Sequence, residues 1–96
     1  MTQNFSFDFS ENLDLTIKKL VKKDKARVLI LNKKIKEIVS CDETTIDRYK
    51  NLRYGLSDYK RVHVDRSFVL IFRVFKKEKH VLFERLEHHD VVYGKN

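Results

Sequence analysis

The stretch from Tyr59 to Val74, YKRVHVDRSFVLIFRV, constrains the fold of this chain more than any other. Two runs rich in β-branched and aromatic residues, Tyr59 to Val64 and Phe68 to Phe75, flank the polar turn Asp65 to Ser67, which is the pattern of a β-hairpin. Successive strand side chains point to opposite faces, so parity sorts them. Val62 and Val64 share one face and Arg61 and His63 the other; Phe68, Leu70, Phe72 and Val74 oppose Val69, Ile71, Arg73 and Phe75. A third strand is predicted over His80 to Leu86 after the turn Lys76 to Lys79, with Leu82 and Leu86 on the core face. Paired antiparallel in sequence order, the strands bring Arg61, His63, Arg73 and Arg85 onto one polar face. Charges gathered on a sheet face are costly to bury, so this face is either solvated or used.

The residues ahead of the hairpin supply the rest of a core. Phe5, Phe7 and Phe9 alternate with polar residues, predicting a short strand with one buried face. Ser10 caps a helix whose apolar positions Leu13, Ile17, Leu20 and Val21 recur at helical spacing, with Glu11 and Asp14 near its positive end. A second helix starts near Asp24 and buries Val28, Leu31, Ile35, Ile38 and Val39. The fold predicted is α+β: a small antiparallel sheet, one N-terminal strand plus three C-terminal strands, with an N-terminal antiparallel helical hairpin on one side. Residues 1–96 are read as a single domain, long enough to bury one ordinary core. The lysines on the helices, among them Lys18, Lys22, Lys33 and Lys36, read first as a solvated face and second as a surface that steers a polyanion.

From Cys41 to Ser57 periodicity is lost, and a surface loop is predicted. It sets Arg48, Lys50 and Arg53 beside Tyr49 and Tyr54, a mixture that suits phosphate contact and base stacking. The excess of 21 Lys and Arg over 14 Asp and Glu, a net charge of +7, favours RNA, DNA, an anionic surface or an acidic protein partner. The single cysteine, Cys41, excludes an internal disulfide, and no run of apolar residues predicts a membrane span or a secretory signal. A soluble, cytoplasmic protein without a membrane partner is expected.

Near the end, RLEHHDVVY carries Arg85, His88, His89 and Tyr93. In a terminal helical turn His89 and Tyr93 share a face. Adjacent His88 and His89 lack the spacing and the third ligand of a metal site, so no metal is expected. No phosphate-loop, CxxC or GxSxG motif is present, and no cofactor is expected. Cleaving RNA through its own 2′-hydroxyl needs a base, an acid and cations for the charged phosphorane. Histidine can serve in either proton role near neutral pH, and arginine can hold two phosphate oxygens. His63, Arg73, Arg85, His89 and Tyr93 together have that chemistry.

The segments LRYGLSDYKRVHVDRSFVLIFRV, Leu52 to Val74, and RLEHHDVVY, Arg85 to Tyr93, resemble the RelE/ParE superfamily of toxins from type II toxin–antitoxin systems, most closely its RelE and YafQ-like branch. The resemblance implies a ribosome-dependent mRNA endoribonuclease acting without metal and silenced by an acidic antitoxin. It implies catalytic roles for His63, Arg85, His89 and Tyr93. Lys50 falls where YafQ-like members can carry a histidine, Ser67 where an aspartate is found, and Val69 where RelE-like members carry an arginine. Arg53, Arg61 and Arg73 are added as RNA-contacting residues on charge and strand parity alone. The rival readings are a ParE-like inhibitor of DNA gyrase and a non-catalytic RNA- or protein-binding module, neither of which requires the histidines.

Overall fold

The computed structural model describes residues 4–52 and 59–92. Among the described residues five strands form one sheet in the order β1-β5-β4-β3-β2, where β1 is Ser6–Phe9, β2 Lys50–Asn51, β3 Tyr59–His63, β4 Phe68–Phe75 and β5 His80–His88. Helices α1, Glu11–Lys23, and α2, Lys25–Val39, follow β1, and a one-turn helix α3, His89–Val92, follows β5. The class is the α+β arrangement expected, with two differences. The sheet is mixed, because β1 pairs parallel with β5 while the other pairings are antiparallel. A fifth strand, β2, lies in the stretch expected to be loop.

Ser10 caps α1 by accepting from the Leu13 amide at 3.0 Å. Asp24 alone joins the two helices and caps the second, its carboxylate accepting from the Arg27 amide at 3.1 Å. The Arg27 side chain pairs with Asp24 at 2.7 Å and Asp65 at 2.9 Å and lies 4.3 Å from the Phe68 ring centroid. One guanidinium thus joins the helix turn to the β3–β4 turn. Asp65 also accepts from the Ser67 and Phe68 amides. Burial raises its carboxyl pKa, but Arg27 and these amides outweigh that and hold it below the usual range.

The core lies between the helices and one face of the sheet. Leu13 from α1 and Leu31, Ile35, Ile38 and Val39 from α2 meet Phe5, Leu70, Phe72, Val81, Phe83 and Leu86. The second half of β5 departs from simple parity. A β-bulge falls between the Ile71↔Arg85 and Phe72↔Phe83 pairings, leaving Glu84 unpaired. Phe83 and Leu86 therefore both face the helices, and Leu82, expected in the core, instead pairs with Arg73 on the opposite face. Phe7 and Phe9, also expected to be buried, keep 36% and 37% of their surface because β1 is an edge strand. They pack on Phe83 at centroid distances of 5.8 and 5.9 Å.

The expected surface loop is in large part an anchored segment. Cys41, Ile46 and Tyr49 are buried, and Thr45–Arg48 forms a 3-10 turn. The Tyr49 ring packs edge-on against Phe72, and its hydroxyl donates to Glu37 on α2. It is a core residue rather than an open stacking platform; Arg53 and Tyr54 lie outside the described residues.

Candidate functional site

The sheet face turned away from the helices is organised in rows across the strands. Lys50 pairs with Arg61, Arg61 with Ile71, and Ile71 with Arg85, so three cations stand in one row on four adjacent strands. The next row runs His63, Val69, Glu87. Val69 and Ile71 are buried on this face, forming an apolar floor with the charged and imidazole groups around it.

His63 is the last residue of β3 and His89 the first of α3. Their rings lie 5.4 Å apart, centroid to centroid, tilted by 32°. The chain reverses beside the β3–β4 turn, where the His89 amide donates to the Ser67 carbonyl at 2.7 Å. That bond fixes where α3 begins, and with it the His89 ring. His88, one residue earlier, packs edge-on against Phe68 and accepts from the Asp90 amide.

Arg85 contacts Glu87 at 3.3 Å on the same strand face. Glu87 was not among the candidates read from the sequence, although the alternation Arg85, Glu87 pointed to it; the carboxylate tempers the positive row and ties Arg85 to the histidine row. Arg61 and His63 line an open cleft of about 320 Å³ with Arg48, Tyr49, Lys50 and Val62. The wall of this cleft is held from behind. Arg48 donates to the Tyr49 hydroxyl at 3.0 Å and to Glu37 at 3.1 Å, and Lys34 lies 3.3 Å from Glu37. Burial raises the Glu37 pKa, but the Tyr49 and Lys34 hydrogen bonds and the charges of Lys34 and Arg48 bring it below the usual range. Burial, then Glu37, push the Tyr49 phenol far upward, so it stays protonated.

Of the residues singled out from the sequence, the fold gathers His63, His89, Arg85, Arg61 and Lys50 on one face. Arg73 lies one row further along, between Tyr59 and Phe75, with its charge 5.2 and 5.0 Å from their ring centroids. Arg53 and Tyr93 are outside the described residues. His80 is apart from the group at the β1 edge, where Nδ1 is 2.7 Å from the Ser6 hydroxyl and Nε2 3.3 Å from Asp8. Among the described residues no cluster of three or more His, Cys, Asp or Glu could hold a metal ion.

Solved structures share this architecture. The Staphylococcus aureus YoeB dimer matches with a TM-score of 0.72 at 18% identity, covering 90% of this chain and 98% of that one. The toxin–antitoxin complex of Escherichia coli DinJ and YafQ matches with a TM-score of 0.62 at 19% identity, covering 95% and 99%. The fold is therefore that of the small RelE-like toxins. No family model matches the chain. A protein of Methanocaldococcus jannaschii described as "Putative toxin RelE4" is 41% identical over 91 residues, covering 95% of this chain and 93% of that protein. The chain belongs to the RelE family, within the RelE/ParE superfamily, and is a toxin of a toxin–antitoxin system.

Proposed function

We propose that the protein is an mRNA endoribonuclease that cleaves transcripts on the ribosome by attack of the 2′-hydroxyl on the adjacent phosphate. The observation that carries this reading is the His63–His89 pair, with rings 5.4 Å apart, beside the row of Lys50, Arg61 and Arg85. One imidazole takes the 2′-hydroxyl proton, and the new 2′-oxygen to phosphorus bond gives a pentacoordinate phosphorane. The cationic row stabilises its extra negative charge. As the bond to the 5′-oxygen breaks, the other imidazolium donates a proton to the leaving oxygen. The products are a 2′,3′-cyclic phosphate and a free 5′-hydroxyl. Each proton-transfer role is worth roughly 10²- to 10⁴-fold in rate. Tyr93, by its resemblance to the terminal tyrosine or phenylalanine of the family, is assigned to contact with a base.

An acidic antitoxin is the partner that silences this activity. The net charge of +7 suits it, and the fold is shared with the YafQ of a toxin–antitoxin complex.

The test is to sequence RNA 5′ ends after induction in cells and, in parallel, to incubate purified protein with mRNA, with and without ribosomes. Cleavage at positions set by the reading frame, dependent on ribosomes and lost in both His63→Ala and His89→Ala, is expected. Intact transcripts beside an arrest that persists in both variants would refute the nuclease reading; linear or relaxed plasmid DNA under the same conditions would point to gyrase.

A further inference from the structure

We propose that Tyr59, Arg73 and Phe75 form a stacking subsite for an unpaired nucleobase, one step along the sheet from the cationic row. RNA as the ligand rests on the nuclease reading; the subsite itself rests on the geometry. Tyr59 pairs with Arg73 across β3 and β4, and Phe75 follows Arg73 by two residues on the same face. The guanidinium lies 5.2 Å from the first ring centroid and 5.0 Å from the second, so the three side chains form an aromatic, cation, aromatic ladder. Both rings remain partly exposed.

Two features separate this ladder from an ordinary patch of surface. No carboxylate pairs with Arg73 among the described residues, whereas Arg85 on the same face is paired with Glu87. The Arg73 Nε is also buried without a hydrogen-bond partner among those residues. Its charge is held in place by rings rather than by an anion, which suits a ligand that brings acceptors for the rest of the guanidinium and a π-face for the rings. An unpaired base brings both, and base–aromatic stacking tolerates any base because every base has a π-face.

Register gives the subsite its place. Along β3 the outer face reads His63, Arg61, Tyr59, and along β4 it reads Val69, Ile71, Arg73, Phe75. Each step of two residues advances roughly 6.6 Å. The face thus presents proton-transfer groups, then cations, then aromatic rings. A single strand with its scissile phosphate at the first two lays a neighbouring base on the third.

The chain contains no tryptophan, which makes the test direct. Tyr59→Trp places a lone indole in the ladder, and its fluorescence is followed while a short uridine-rich single-stranded RNA, 2′-O-methylated to prevent cleavage, is titrated in. Saturable quenching is expected, with an adenine-rich RNA giving a midpoint within about threefold because stacking tolerates any base. Phe75→Leu in this background, with its fold checked by circular dichroism, is expected to weaken binding about tenfold, within the range for loss of one stacking partner. An indole signal that does not move at saturating RNA, with binding confirmed by anisotropy of a labelled RNA, would overturn the subsite, as would a folded Phe75→Leu protein that binds like its parent. The same proteins are assayed for ribosome-dependent cleavage. Quenching without cleavage by the parent chain would refute the nuclease reading and leave the subsite standing; cleavage without quenching would do the reverse.

Discussion

Lys60→Met should loosen β2 and, through it, the cationic row. Lys60 faces the helix side of β3, and its side chain keeps only 12% of its exposure. Its ammonium donates to the Tyr49 carbonyl at 3.1 Å and to the Asn51 side chain at 2.9 Å, and lies 3.5 Å from Asp47. Strand β2 has only two residues, so its pairing with β3 is too short to hold by itself. The clamp on either side of Lys50 is what sets that lysine beside Arg61. Methionine keeps most of the packed stem and removes the charge. Hydrogen bonds to a charged group are worth about 1.5–3 kcal/mol each, and part of the loss is recovered when water reaches the opened carbonyl, so a net cost of about 2 kcal/mol is expected. For a domain of this size that lowers the melting temperature by about 8–16 °C, read by circular dichroism. The functional consequence is read from RNA affinity as a function of salt. Loss of one phosphate contact to a single strand flattens the slope of log K against log salt by about 0.7. Lys50→Ala should flatten it by the same amount, and the double variant should be no worse than either alone. A Lys60→Met protein that melts within about 2 °C of the parent, or whose salt slope adds to that of Lys50→Ala, would refute the reasoning.

Three other outcomes follow from particular contacts. Asp65→Asn should destabilise the protein at neutral pH, and the deficit should shrink as pH falls: the folded carboxyl titrates below its unfolded value of about 4, so its contribution is present above that pH and lost as pH falls through the folded value. Chemical denaturation at pH 7 and near pH 3 compares the two chains. Tyr49→Phe should lower stability by about 1–2 kcal/mol, the usual cost of leaving a partly buried hydrogen-bond partner behind. Because the Tyr49 phenol is raised, its contribution is present below the unfolded value of about 10 and fades as pH rises beyond it, so the variant should lose part of the parent's alkaline destabilisation. Glu87→Gln should change stability by less than about 1 kcal/mol, since the Arg85 side of its ion pair is half exposed to solvent. Anisotropy should show tighter RNA binding and a steeper salt dependence in that variant, because Arg85 is released.

Much of the frame was legible because local signals agreed. Ser10 caps the first helix as its side chain suggests, the second helix starts beside Asp24 as expected, and β4 spans Phe68–Phe75 as its run of apolar residues indicates. The common face of Arg61, His63, Arg73 and Arg85 follows from strand parity and sequence-order pairing, and the register bears both out. What escaped depends on contacts distant in sequence. Nothing near Glu84 announces that the strand gains a residue there, so parity alone puts Leu82 on the wrong face. Phe7 and Phe9 alternate as a half-buried strand would, but whether that strand is central or at an edge is decided by its neighbours. Tyr49 looked like a loop aromatic because its partner, Glu37, lies twelve positions earlier on a helix. His63 and His89 are grouped by their chemistry and then by the resemblance, while the meeting of their rings depends on a backbone bond from His89 to Ser67 that no local signal announces.

The parallel pairing of β1 with β5 also bears on timing. Ser6 and His80 are neighbours in the sheet but 74 positions apart in the chain. Contacts this distant in sequence close late, because the loop between them must first be ordered. During synthesis the first strand therefore waits for the helices and the first hairpin to be made before β5 can seat it, and His89 leaves the ribosome later still. A nascent chain holding the helices and the first hairpin has the cations Arg61 and Lys50 but neither the second imidazole nor the strand that seats it. The two imidazoles are thereby brought together only after β5 and His89 have been made and have docked beside the β3–β4 turn.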